Sequence, residues 1–277
     1  MAASVILSRS LQHHLSLSVC SVLIAGSCSP CYASNNNNQK QFLSMGKGSS
    51  LGTTSSSAAS CTNSNNDDVL PKLIVFDLDD CLWTPEMHEL SGMPTIAVEG
   101  PLDPNDINNS QLGTVGMKVP SRRRGRGFDW GGYSNDDEEI VELYPGARLV
   151  LRELATNPKY SGVKIAVASS SLEPTFSRAC ISGIEIIEDL TMKDMISYAQ
   201  IGREGQLTSR KTSHFRLLRE QSGVEYEEML FFDDCNWGDH VGDLESSCGV
   251  VGVRTPNGLT LDEFHLGLEK FRNRITS

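Results

Sequence analysis

Carboxylates are missing from the first 66 positions; the first acidic residue of the 277-residue chain is Asp67. Cations are scarce there too. Only Arg9, Lys40 and Lys47 occur, so the segment carries +3. It is crowded instead with serine and holds the run Asn35 to Asn38. Such a composition buries too little apolar surface to offset the entropy of ordering, which predicts a disordered tail over 1–66. No run in the chain approaches the ~20 apolar residues that a bilayer-spanning helix needs, so no membrane partner is expected. The body also lacks a Cys-x-x-Cys pair: Cys81, Cys180, Cys235 and Cys248 stand apart, and no histidine spacing beside them points to zinc. Free thiols in a reducing compartment are expected. Finally, the body lacks a positive balance. Its 21 Lys+Arg face 35 Asp+Glu, a net of −14, which argues against a nucleic-acid partner.

The opening Met-Ala-Ala-Ser of a serine-rich, acid-free segment is similar to an organelle transit peptide, of the chloroplast kind. A secretory signal is the rival, since Val19 to Gly26 is apolar, but that core is short and its only flanking cation is Arg9. A plain cytoplasmic extension is the third reading. Residues 67–277 then form the folded part, expected as a monomer.

What is present begins with Leu73-Ile74-Val75-Phe76, an apolar run leading straight into Asp77-Leu78-Asp79. A short unbroken apolar run predicts a strand buried on both faces of a parallel sheet. Ligands of open α/β sheets bind at the carboxyl ends of such strands. Two carboxylates two residues apart on extended chain point to one side, and they repel unless a cation or a shared proton relieves them. Mg2+, a hard ion that takes oxygen ligands, suits that position. Alone, an Asp-x-Asp after an apolar run is as readily a strand end or a helix cap.

Similar runs follow. Val163 to Ala168 ends in Ser169-Ser170-Ser171, Met229 to Phe232 ends in Asp233-Asp234, Gly249 to Val253 is the last, and a short strand is expected near Ile196 to Ile201. Helical spacing marks Ala147 to Ala155, a segment opening at Glu173-Pro174, one opening at Lys211 with Phe215, Leu217 and Leu218 inward and Gly223 as its stop, and a last one over Leu261 to Asn273. Residues 184–195 read as partly helical. Alternating strands and helices predict an α/β fold, a Rossmann-like parallel sheet flanked by helices. Residues 84–139, rich in Gly, Pro, Asn and Asp, read as a long insertion loop with little or no cap. Within it, Arg122-Arg123-Arg124-Gly125-Arg126 is either an anion-recruiting patch or a solvated linker.

If the strands are parallel, Asp77 and Asp79, Ser169, and Asp233 and Asp234 converge on one sheet edge, with Lys211 nearby. Carboxylates holding a metal, a hydroxyl and an ammonium are the set that phosphoryl transfer requires. In order and spacing, Asp77-Leu78-Asp79 with Leu82-Trp83, Val141 to Pro145, Ala168-Ser169, Lys211 with His214-Phe215, and Phe231 to Asp234 resemble the motifs of the haloacid dehalogenase-like (HAD) superfamily, most closely its magnesium-dependent phosphatase group. The resemblance covers about 70–275. It implies that Asp77 is the nucleophile and Asp79 the general acid and base. It implies a Mg2+ site from the carboxylates of Asp77 and Asp234 and the backbone carbonyl of Asp79. Ser169, Ser170 and Lys211 would bind the phosphoryl group. Asp233 and Asp239 would support them, ordinary capping of the following turn being the other reading for both. Cys81 and Asp80 depart from the group's usual threonine and aromatic, and the loop Cys235 to His240 differs as well. If Cys81 and Cys235 both lie near the metal, oxidation becomes a means of inactivation; buried inert thiols are the alternative. Expected substrates are a phosphorylated small molecule or a phosphoprotein, of phosphotyrosine or phosphosugar type. A phosphoserine phosphatase or a catalytically weak phosphate-binding scaffold are the alternatives.

Overall fold

The computed structural model describes residues 69–106, 108, 110–121 and 138–275. The expected tail over 1–66, its targeting role, and the Arg122–Arg126 patch lie outside the described residues.

The strands are β1 (Leu73–Phe76), β2 (Trp83–Thr84), β3 (Ile96–Pro101), β4 (Leu112–Lys118), β5 (Ile140–Leu143), β6 (Lys164–Ser169), β7 (Glu185–Ile187), β8 (Leu190–Thr191), β9 (Ile196–Ile201), β10 (Met229–Asp233) and β11 (Val251–Arg254). The helices are α1 (Pro145–Thr156), α2 (Pro174–Gly183), α3 (Met192–Met195), α4 (Lys211–Ser222), α5 (His240–Cys248) and α6 (Leu261–Ile275). The central sheet runs in the order β11-β10-β1-β6-β9 with every pairing parallel. Strand β1 lies in the middle, Leu73 opposite both Met229 and Lys164. All four of its residues are fully buried, because each face of the sheet is covered.

Successive side chains of a strand alternate between faces. Ile74 and Phe76 therefore meet α1 and α6 through Val150, Leu151, Phe264 and Phe271. Leu73 and Val75 meet α4 and α5 through Phe215, Leu218, Val241 and Leu244. Each such fully buried side chain stabilises the fold by about 1.5–3 kcal/mol relative to exposure. Phe76 stacks on Phe232 of the neighbouring strand at 5.4 Å between ring centroids. Helix α1 starts with Pro145, whose missing N–H is one that a first turn leaves unpaired anyway. Gly223, at φ 67°, closes α4 in the left-handed conformation that glycine adopts without strain.

Three expectations change. The stretch 84–139 is not one loop: β3 and β4 form an antiparallel hairpin that joins β5 and β2 in a four-stranded sheet, order β2-β5-β4-β3. Its pattern escaped detection because β3 is an edge strand whose residues face solvent in part on both sides. Residues 184–195 are helical in part, as expected, in the four-residue α3, but the rest of the segment forms the β7–β8 hairpin. Helix α5 was not foreseen. Its inward residues are only Val241 and Leu244, too few to print a helical period on the sequence.

Candidate active site

The carboxyl ends of β1, β6 and β10 open into a cavity of about 440 Å³. Parallel pairing aligns these ends, so residues far apart in sequence share one floor. The Asp77 N–H donates to the Phe232 carbonyl at 2.9 Å, which fixes the first acid at the exit of β1. Ser169, on the last position of β6, is buried, as are Asp233 and Asp234 after Phe232.

Lys211 enters from the first turn of α4 and is buried among these groups. Its Nζ lies 2.6 Å from Asp77 Oδ1 and 3.1 Å from Asp233 Oδ2, and it donates to the Ala168 carbonyl at 2.7 Å. Burial alone would lower this ammonium; the carboxylates of Asp77 and Asp233 outweigh burial and hold it above its ordinary value. Burial pushes Asp77 well above the carboxylate range, Lys211 opposes that, and Asp233 and Asp234 add to it. Asp233 is the exception among the acids. Lys211, His240 and the Cys235 N–H overcome its burial and hold it low. Asp234 is raised, by burial first and then by Asp233, against the Asn236 N–H that donates to it at 2.7 Å.

The side chains of Asp77, Asp233 and Asp234 bring one oxygen each within 4.8 Å of one another. Asp77 Oδ1 and Asp233 Oδ2 are buried with no aligned hydrogen bond, touching Lys211 as charge pairs only. Three buried carboxylates against one ammonium leave net negative charge in a dry place. All the donors are hard oxygens, the set that Mg2+ takes, so the residues fit that ion. The expected ligand carboxylates Asp77 and Asp234 are in this cluster. Asp233, expected only as support, joins it, though its Oδ1 already accepts the Cys235 N–H at 2.9 Å.

The Asp79 carboxylate is not part of this cluster. It turns away, Oδ1 accepting from the indole N–H of the fully buried Trp83 at 2.7 Å. Burial pushes Asp79 up to about 6; the Trp83 bond and the Met87 N–H oppose this, and Ser171 also donates to it. Two acids two residues apart thus have separate environments, one beside an ammonium and one beside an indole.

The phosphoryl-binding candidates form the wall on the β6 side. Ser169 Oγ accepts the Ser171 N–H at 3.3 Å, and Ser170 Oγ reaches the Ser209 carbonyl at 3.4 Å. His214 Nε2 donates between the carbonyls of Ser169 and Gly202, each 3.1 Å away. Burial, and then Lys211, hold that imidazole below its ordinary value, so it is neutral near pH 7 and ties α4 to the ends of β6 and β9.

Asp239 does not belong to the site. It caps α5 by accepting the Gly242 N–H and pairs with Arg254 on the exposed surface. Spacing places a residue in a loop but not the direction in which its side chain leaves. The thiol idea also fails. Cys81 is fully buried, with its Sγ toward the Phe232 carbonyl and Thr255. Burial, then Asp77, push it well up, and burial pushes Cys235 to about 12, whereas oxidation needs a lowered, exposed thiolate. Trp83, His214 and Ser171 were missed as supports. Trp83 and His214 were visible within the motifs, and a buried indole N–H requires a partner.

At the mouth, the loop after β10 carries Trp237, 76% exposed. Its indole donates to Glu86 at 2.8 Å and its ring meets His88 edge-on at 6.3 Å. Asn236 donates to Asp80 at 3.1 Å. Asp80 sits at φ 56°, a conformation that aspartate tolerates better than most residues.

Comparison with known proteins adds the following. Residues 69–274 match the family model described as Acid Phosphatase. The chain is 32% identical over 207 residues to human magnesium-dependent phosphatase 1, covering 75% of this chain and 90% of that protein. Among solved structures, the N-terminal part of BF1531 from Bacteroides fragilis, containing a phosphatase domain complexed with Mg, is 16% identical at TM-score 0.34, covering 74% of this chain and 40% of that one. CbbY from Rhodobacter sphaeroides, in complex with phosphate, is 16% identical at TM-score 0.37, covering 67% and 86%.

Proposed function

The chain belongs to the acid phosphatase family and is a magnesium-dependent phosphatase, and we propose that it hydrolyses phosphomonoesters through an aspartyl-phosphate on Asp77. The observation that carries this is the division of labour between the two acids. Asp77 lies 2.6 Å from the ammonium of Lys211, which opposes the upward push of burial. It is inside the carboxylate cluster that fits Mg2+, an ion whose charge would favour the ionised nucleophile. Asp79, outside that cluster and raised to about 6, keeps a proton available near neutrality.

An Asp77 oxygen attacks phosphorus as the ester P–O bond breaks, and the leaving oxygen takes the proton of Asp79. Water then attacks the phosphorus of the acyl phosphate. Asp79, now ionised, accepts a proton from that water, and the bond from phosphorus to Asp77 breaks, restoring both acids. Ser169 and the Ser170 backbone orient the phosphoryl oxygens. Lys211 holds Asp77 in place and opposes the upward push of burial on it. Asp77, Asp234 and the Asp79 backbone carbonyl would hold Mg2+, with Asp233 beside them; the ion, when bound, supplies positive charge against the phosphoryl oxygens.

Trp237 favours phosphotyrosine-type aryl phosphates as the first substrate class, because an indole exposed at the mouth offers an aryl leaving group a stacking partner. Phosphosugars are the second class to test. We also propose chloroplast delivery by residues 1–66; those residues fused to a fluorescent protein would have to enter the organelle.

The deciding experiment is hydrolysis of p-nitrophenyl phosphate by the full chain. Turnover that requires Mg2+, stops with chelator and falls at least about a thousandfold in Asp77→Asn is expected. An Asp77→Asn chain that still turns over would remove the proposal. No turnover with any divalent ion would leave a phosphate-binding scaffold.

A further inference from the structure

The wall of the cavity on the β6–β9 side carries two guanidinium groups that the chemistry above does not use. Arg203 and Arg210 both line the cavity. Among the described residues, neither has a carboxylate within ion-pair distance, although the body of the chain is strongly acidic. Their backbones are fixed. The Gly202 N–H donates to the Ser169 carbonyl at 2.9 Å, placing Arg203 next in the chain. Arg210 is the residue before α4; its N–H donates to Thr208 Oγ1 at 3.1 Å, and its carbonyl accepts from Ser213 Oγ at 2.9 Å.

Arg203 is also oriented. Its Nε donates to the Ser170 carbonyl at 2.8 Å, so the guanidinium is anchored on the residue expected to cradle the phosphoryl group. An arginine held through Nε keeps its terminal nitrogens for another acceptor. The remaining rim differs. Glu86 and Asp243 line it as well, and carboxylates there repel a second negative group. The sheet order puts the β10 loop and the β9 loop on opposite sides of β1. The mouth is therefore cationic on one side only.

We propose that Arg203 and Arg210 form a subsite for a second anionic group, a carboxylate or second phosphate, carried by the same small molecule as the scissile phosphate. This rests on the phosphatase reading for which phosphate is bound at Ser169 and Lys211. The subsite selects among phosphomonoesters by a charge-assisted, two-pronged contact and acts on binding rather than on the bond-breaking step.

The test is calorimetric binding to the full-length Asp77→Asn chain with Mg2+, using two matched pairs: phenyl phosphate against 4-carboxyphenyl phosphate, and glycerol 2-phosphate against 2-phosphoglycerate. In at least one pair the carboxylated member is expected to bind about tenfold tighter. Adding Arg203→Gln and Arg210→Gln brings that pair to parity, and Arg203→Lys with Arg210→Lys keeps part of the preference. Circular dichroism confirms that each variant is folded. Parity in both pairs with the arginines intact, a preference that survives their removal, or no binding of any probe overturns the subsite. Turnover by the unsubstituted chain is measured separately. A chain that prefers the carboxylated ligand yet hydrolyses neither member would sink the phosphatase mechanism and leave the subsite standing.

Discussion

Replacing Lys211 by methionine tests the electrostatics of the site apart from its chemistry. Methionine fills much of the same volume and removes only the ammonium. In the native fold that ammonium sits 2.6 Å from Asp77 and 3.1 Å from Asp233, and its side chain is 2% exposed. Removing one partner of a buried pair leaves an uncompensated charge and costs about 3–5 kcal/mol. For a domain of roughly 200 residues each kcal/mol moves the melting point by about 2–4 °C, so the expected fall is about 6–20 °C. The assay is thermal denaturation in chelator at pH 7, where no divalent ion can stand in for the lysine. The sign with pH follows from the acids. Without Lys211, Asp77 lies further above its unfolded value, so the folded state binds protons that the unfolded state has lost, and the deficit shrinks as pH falls toward 5. An exposed pair is the control: Arg216→Ala, which removes the contact at 2.9 Å to Glu220, should cost no more than about 0.5 kcal/mol. A Lys211→Met loss below about 1 kcal/mol, or one that does not shrink in acid, would refute the reasoning.

Other consequences are independent of that one. Trp83→Phe removes the indole that donates to Asp79 at 2.7 Å. That bond favours the ionised acid, so its loss raises Asp79 from about 6; the alkaline fall of kcat/KM for an alkyl phosphate should move up by about one pH unit, and an unmoved profile would deny Asp79 the role of acid. His214 is buried with its titration held below the ordinary value, chiefly by burial. The unfolded chain therefore binds a proton below about pH 6.5 that the folded chain refuses, and stability that is full above that value drains as pH falls, by at most about 1.4 kcal/mol per unit. Urea unfolding of His214→Gln should lack this component; an identical acid slope in both chains would show that His214 does not contribute it.

The parts of this fold that were legible in the sequence are those buried on two sides. Strands β1 and β10 have no solvent-facing residues to interrupt them, and β6 has only its first, Lys164, so Leu73 to Phe76 and Met229 to Phe232 stand out as apolar runs. Their ends then place Asp77, Ser169, Asp233 and Asp234 together without further information. Elements with little burial were not legible. The β3–β4 hairpin lies at a sheet edge, and α5 turns only Val241 and Leu244 inward. Within the site, position could be read but direction could not. Asp239 follows the fourth acidic motif closely in sequence, yet it faces Arg254 and the start of its own helix. Asp233 was assigned a supporting place, and the fold makes it the second carboxylate on Lys211. The separation between the acidic Asp77 cluster and the Trp83-bound Asp79 depends on which buried groups surround each carboxylate, and no spacing encodes that.

The claim on which the rest depends is that the phosphoryl group passes through Asp77. Quenching the reaction during steady-state turnover, reducing the protein with borohydride and sequencing its peptides by mass spectrometry tests it directly. An acyl phosphate is reduced to an alcohol, so Asp77 should be recovered in part as homoserine, in a substrate- and Mg2+-dependent manner. Turnover that continues with Asp77 always recovered unmodified, or with the mark on another acid, would contradict the account.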